Sequence, residues 1–233
     1  MKQNLICVHS GESYGPEYVL NLWKGATVNS SIDFDFYVFT DNIDQHPRDL
    51  GWNFVELPIW SFAGFKPWWY KMEIFNHQHC PAGNNLYIDL DTIIVNSIDD
   101  FWQYYPDEFC ICHDFNRAFS KNINWSNSSV MSWSGCSMSW LYNMFLNDMK
   151  NIIRSYRGDQ DFIHAHTQQN QKWWPAEWAM SWKWEVKRGG LQTPAGKYRS
   201  ENDYIIHPNT KIIVCHGSPN PHEIKELSEY WHK

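Results

Sequence analysis

Residues 86–95 read LYIDLDTIIV. Apolar and β-branched side chains on either side of Asp89 and Asp91 make the stretch a buried strand with two carboxylates toward its C-terminal end. Charges in that setting are costly unless cations or hydrogen bonds compensate them. Open α/β sheets bind ligands beyond the carboxyl ends of their strands. Two carboxylates one residue apart at that place suit a hard divalent cation that also holds phosphate oxygens. Asp-x-Asp alone is a weak signal, since acidic triplets are common in turns and helix caps. The apolar frame is what strengthens it.

With 233 residues, 43% of them apolar, the chain is long enough to bury one large core and too apolar to be disordered. A single domain over 1–233 is expected. The aromatic content is unusual, with 15 Trp, 12 Tyr and 13 Phe. Such rings either fill the core or form stacking surface for sugars or bases. Acidic residues outnumber basic ones, 26 to 19, for a formal charge of −7. That is the opposite of the balance expected for a nucleic-acid partner, and it weighs against DNA without excluding a local basic patch. The six cysteines show no CxxC spacing, and three lie in apolar, strand-like runs. They read as small core residues of a reducing compartment, not as a disulfide framework or a zinc site. No stretch has the length of a signal peptide or membrane span, so a cytoplasmic location is expected.

The pattern along the chain alternates. Residues 4–9 (NLICVH) form a strand, 10–15 a small-residue loop, and 16–26 a helix, the opening of a nucleotide-binding α/β unit without a GxGxxG fingerprint. Strands follow at 34–40 and 52–57. A helix is expected over 64–76 with Pro67 near its start and Lys71 within it, where the ammonium can reach a phosphate. A short helix at 96–105 and a strand at 108–113 come next. Residues 122–133 place Asn127, Ser128 and Ser129 at the mouth of another strand, followed by a helix at 138–145. Residues 158–166 (GDQDFIHAH) open a helix in which Asp159 can cap and Asp161 can complement the dipole. Residues 173–184 are the densest aromatic run, 189–203 a polar loop, and 205–215 a last strand leading to His216. The alternation implies a mostly parallel sheet with helices on both faces.

Four segments together resemble the GT-A fold nucleotide-sugar glycosyltransferases, in particular the glycogenin and lipopolysaccharide galactosyltransferase group (family 8-like). DLD resembles the DxD of that group, and GDQDF its helix-opening (N/G)DQD. SNSSV resembles the FNAGV segment against the donor sugar, and VCHGSPNPHE the C-terminal HxxGxxKPW-type element. The order and rough spacing agree over nearly the whole chain. The departures are an adjacent His216-Gly217 pair, Asn220 where a phosphate-binding lysine is frequent, and His222 where the group often has Trp.

The resemblance implies a Rossmann-like α/β domain whose residues 1–115 hold the nucleotide and whose residues 116–233 hold the acceptor and the last metal ligand. It implies Mn²⁺ or Mg²⁺ at Asp89, Asp91 and His216, with Asp89 also contacting ribose and sugar. A UDP-sugar would place its uridine near Val8, Ser10, Tyr14 and Asp41. Its sugar would lie near Lys71, Asn127, Ser128, Asp159 and Gln160, and its diphosphate near Gly217 and Asn220. Asp159 and Gln160 would line the reacting face, and configuration would be retained; an inverting enzyme would instead use Asp159 or Asp161 as base. The chemistry makes a similar demand, because breaking a glycosyl diphosphate bond builds negative charge on the leaving oxygen. A saccharide acceptor stacked on the 173–184 aromatics is expected. The alternatives are a hydroxymethylated base in DNA and, from another class, a carbohydrate-binding protein without turnover.

Overall fold

The computed structural model describes residues 1–115, 124–187 and 204–231. Strand β1 (Gln3–His9) buries nearly every residue and is followed by α1 (Pro16–Val28), with Pro16 in the first turn after an extended Gly15. Strands β2 (Phe34–Thr40) and β3 (Asn53–Glu56) continue the sheet outward from β1. The helix expected over 64–76 is a 3₁₀ helix, Pro67–Phe75.

The expected strand over 86–95 is split in two. β4 (Asn84–Ile88) belongs to a seven-stranded sheet, and β5 (Thr92–Ile94) to a separate sheet of three strands. Between them the Thr92 hydroxyl donates to the Asp89 carbonyl at 2.8 Å, closing a corner. The two aspartates therefore stand where the sheets part.

Beyond α2 (Asp99–Gln103) come β6 (Cys110–His113) and β7 (Ser126–Ser134). Helices α3 (Ser139–Asn147), α4 (Met149–Ser155) and α5 (Asp159–Thr167) follow, then β8 (Lys172–Trp173) and β9 (Ala179–Ser181). A five-residue π-helix, Trp182–Val186, leads away from β9, and β10 (Ile212–Val214) is the last strand. The strand read at 205–215 shrinks to these three residues because a turn, with Thr210 N–H donating to the His207 carbonyl at 2.9 Å, precedes it. The loop expected at 189–203 lies outside the described residues.

The large sheet has the order β3-β2-β1-β4-β7-β6-β8. β7 runs antiparallel to both of its neighbours, and the other adjacent pairs are parallel. Alternation along β1 sends Leu5 and Cys7 to one apolar layer with Tyr18 and Leu22 of α1, and Ile6 to the other with Trp69, Phe75 and Phe162. The result is a single α/β domain, mostly parallel, with helices on both faces as expected. Part of the Trp excess is core: Trp69, Trp102 and Trp133 are each 1% exposed. No helix among the described residues is long and apolar enough to cross a membrane.

The cysteine reading needs correction. Cys7, Cys110, Cys112 and Cys215 are buried free thiols, but Cys80 and Cys136 form a disulfide. Both lie in turns outside the apolar strands, and the Gly135 N–H bond to the Gly83 carbonyl, 2.7 Å, draws those turns together.

Candidate active site

Five elements end around one cavity of about 430 Å³. β1 and its loop supply Val8, Ser10 and Tyr14, and the 3₁₀ helix supplies Trp68 and Lys71. The corner supplies Asp89 and Asp91, β7 supplies Asn127 and Ser128, and the first turn of α5 supplies Asp159 and Gln160; His216, past β10, completes the wall.

One side of this cavity is electrostatically complete. Lys71 is 7% exposed, and its ammonium stands 2.9 Å from Asp89 and 3.2 Å from Asp159. It also donates to the Ser128 hydroxyl at 3.1 Å, which in turn donates to Asp159 at 2.9 Å. The Tyr87 hydroxyl donates to Asp89. Burial alone would lower the Lys71 pKa, but Asp159 and Asp89 outweigh it and hold the lysine charged. Lys71 is thus committed to carboxylates, not free to reach a phosphate. Gln160 is held as well, its carbonyl oxygen accepting from the Asn127 amide at 2.9 Å.

The opposite side is not complete. Asp91 accepts a long bond, 3.3 Å, from the Tyr14 hydroxyl, beside one from its own backbone N–H. Burial and then the neighbouring Asp89 charge push its carboxyl up to about 7, against the pull of Lys71 and Tyr14. The antiparallel pairing of β10 with β5 continues past the strand end, so that Cys215 N–H donates to the Asp91 carbonyl at 2.8 Å. That pairing brings His216 beside the aspartates, although it lies 125 residues from Asp91 in sequence (216 − 91). Its Nε2 is 2.8 Å from the Ser181 hydroxyl, and its ring stacks on Phe115 with centroids 5.9 Å apart. Burial, and next the Lys183 charge, lower its pKa, so the imidazole is neutral near pH 7.

Two carboxylates and an imidazole on one wall form a donor set suited to Mn²⁺ or Mg²⁺, and Asp91, raised first by burial and then by the Asp89 charge, is the less well compensated of the two carboxylates. Ser181 on Nε2 is the kind of support that orients a metal-binding histidine. Among the described residues, no three His, Cys, Asp or Glu side chains converge closely enough to hold an ion as they stand.

The remaining expected residues stand apart. Asp41 is exposed and accepts from Gly11 N–H at 2.9 Å, fixing the loop after β1 without lining the cavity. Asn220 forms a reciprocal cap with Glu223, and neither it nor Gly217 lines the cavity. Asp161 pairs with Arg157 at 2.6 Å and lines a second cavity of about 480 Å³. That cavity adjoins the first through Trp68, Asn127, Asp159, Gln160 and His216, and is also walled by Asp114, Phe115 and Trp184. Sequence reasoning missed Tyr87, Trp68 and Ser181. Tyr87 could have been found, since residues two apart on a strand share a face with Asp89.

No protein-family profile matches the sequence, and no curated protein sequence is significantly similar. Solved structures are. The galactosyltransferase LgtC, in complex with donor and acceptor sugar analogues, superposes with a TM-score of 0.68 at 10% identity, over 98% of this chain and 95% of that one. The fold is GT-A. The glycosyltransferase GlyE of Streptococcus pneumoniae TIGR4 also matches this GT-A chain, with a TM-score of 0.66 at 12% identity, over 99% of it and 60% of GlyE. Mouse xyloside xylosyltransferase 1 matches with a TM-score of 0.57 at 11% identity, over 94% and 98%.

Proposed function

We propose that this chain is a glycosyltransferase that moves a hexose from a UDP-linked donor to a saccharide hydroxyl, with a divalent ion at Asp89, Asp91 and His216. The observation that carries this reading is the meeting of those three residues with Asn127, Asp159 and Gln160 on one cavity, next to a second, aromatic-walled one. Two adjoining cavities suit a reaction with a donor and an acceptor. The likeness to transferases of galactose and xylose supports the class of reaction. When bound, Mn²⁺ or Mg²⁺ supplies Lewis-acid stabilisation of the charge that grows on the departing diphosphate.

The protein's own residues divide the remaining work between two halves, 1–115 for the donor nucleotide and 116–233 for the acceptor. Val8, Ser10 and Tyr14 receive the uridine, with Asp41 holding their loop through Gly11. Asn127, Ser128 and the Gln160 amide bind the sugar hydroxyls. Asp159 is neutralised by Lys71, and Asp161 by Arg157, so neither carboxylate is poised as a general base. That supports retention, with the acceptor's proton passing to the leaving phosphate oxygen as the new glycosidic bond forms. The Trp68 and Trp184 rings on the second cavity favour a saccharide, and the formal charge of −7 disfavours DNA. A cytoplasmic location accords with the four buried thiols, whereas the Cys80–Cys136 bridge accords better with an oxidising compartment.

The test is thermal denaturation with UDP and Mn²⁺, separately and together, beside transfer assays on oligosaccharides and on hydroxymethylated DNA. UDP at a hundredfold excess over its dissociation constant is expected to stabilise by roughly 3 kcal/mol, only with the metal. Asp91→Asn should lose that gain and cut transfer by about a hundred- to a thousandfold with its fold unchanged. Metal-independent UDP binding in both proteins would overturn the metal reading, and label found only in DNA the acceptor.

A further inference from the structure

The donor cavity holds more negative than positive charge. Asp89, Asp91 and Asp159 face it, with Lys71 as the opposing cation among the described residues that line it. A divalent ion offsets that excess, but the diphosphate of the donor brings further negative charge. Lys71 is spent on Asp89 and Asp159, and Arg157 on Asp161. A second, uncommitted cation beside His216 would offset that charge.

Lys183 occupies that place. It is the second residue of the π-helix Trp182–Val186, whose first turn is fixed by Trp184 N–H donating to the Ser181 hydroxyl at 3.2 Å. The same hydroxyl touches His216, and Ser181 is paired in register with Val214, two residues before that histidine. The Lys183 ammonium lies so close to Gly217 that a Cβ there would come within 3.1 Å of it, in a glycine whose φ of +72° already disfavours a side chain. Glycine thus leaves room for the ammonium against the backbone that follows His216. The Lys183 side chain is partly exposed, and makes no hydrogen bond or ion pair with any described residue.

We propose that Lys183 is the protein's own cation for the donor diphosphate, reaching it from the π-helix and not from the segment after His216, where Asn220 is consumed in a cap. An ammonium suits this role as a compact point charge with several rotatable donors. The inference rests on the UDP-sugar reading above, and its test separates the two.

Calorimetric titration with Mn²⁺ present would compare UDP with uridine, which lacks phosphates, on the unaltered protein, Lys183→Gln and Lys183→Arg. Lys183→Gln should weaken UDP about tenfold or more, while uridine changes less than about twofold and Lys183→Arg restores most of the UDP affinity. Retained uridine binding also shows that the variant folds. UDP affinity unchanged in Lys183→Gln, or an equal loss for uridine and UDP, overturns the role of Lys183 alone. Failure of the unaltered protein to bind UDP overturns the donor reading and this inference with it.

Discussion

Asp89 and Asp91 are one residue apart, yet they face opposite electrostatic situations. Asp89 belongs to a closed network in which Lys71, Tyr87, Ser128 and Asp159 satisfy one another. Asp91 shares the cavity wall with His216 and accepts a long bond from Tyr14, and its carboxyl is pushed up to about 7 by burial and by Asp89. The first side is finished by folding. The second is left short of positive charge, as a site must be that gains its cations only with its ligands. On the proposed reading, Asp89 and Ser128 meet the ligand from a network already paired, whereas Asp91 gains its cation only with the ligand.

The largest expected effect breaks the finished side. Lys71→Met leaves Asp89 and Asp159 buried together without their cation, a loss of about 3–5 kcal/mol in unfolding free energy. Urea denaturation of the metal-free protein at pH 8 measures it. A loss under about 1 kcal/mol would show that the network is not the support described here.

The next effect sharpens the other side. Burial, and next Asp89, push the Asp91 carboxyl from its ordinary value of 3.8 up to about 7, so its contribution to stability is fully present below the unfolded pKa. It is lost as the pH rises from there through about 7. A cation must displace that proton, so Mn²⁺ affinity should fall by up to about tenfold per pH unit below 7 and level off above it. Burial, and next the Lys183 charge, lower the His216 pKa and so reduce proton competition at the imidazole. Titration with Mn²⁺ at pH 6 and pH 8 checks the sign, and equal affinities would remove the charge imbalance from the account.

The finished side was the less legible of the two in sequence. LYIDLDTIIV announced two carboxylates in an apolar frame, and the order of the four resembling segments pointed to His216 as their partner. Periodicity could not show that the stretch changes sheets at Asp89, because both halves are equally apolar and only their hydrogen-bond partners differ. Nor could it show that Lys71 is buried, since one lysine in an aromatic helix reads equally well as solvated. Cys80 and Cys136 were misread because sequence neighbours do not reveal which turns meet; Gly83 and Gly135 bring those two together through a backbone bond. The role proposed for Lys183 had no sequence signal, as its relation to His216 exists only through the β9–β10 pairing.

The smallest expected effect asks whether the comparison extends to the acceptor. Trp68 is 48% exposed and borders both cavities, and Trp184 also lines the second. A solvent-facing indole contributes to no core, so its removal should leave stability nearly unchanged. It is placed to stack on a sugar ring, an interaction of about 0.5–1.5 kcal/mol beyond area burial. Trp68→Ala should therefore raise the acceptor KM about three- to tenfold, with the UDP dissociation constant altered less than about twofold. Steady-state kinetics at saturating donor, beside UDP titration, separates these quantities. A larger change in UDP affinity than in acceptor KM would move Trp68 to the donor side, and the two cavities would then be one continuous donor site.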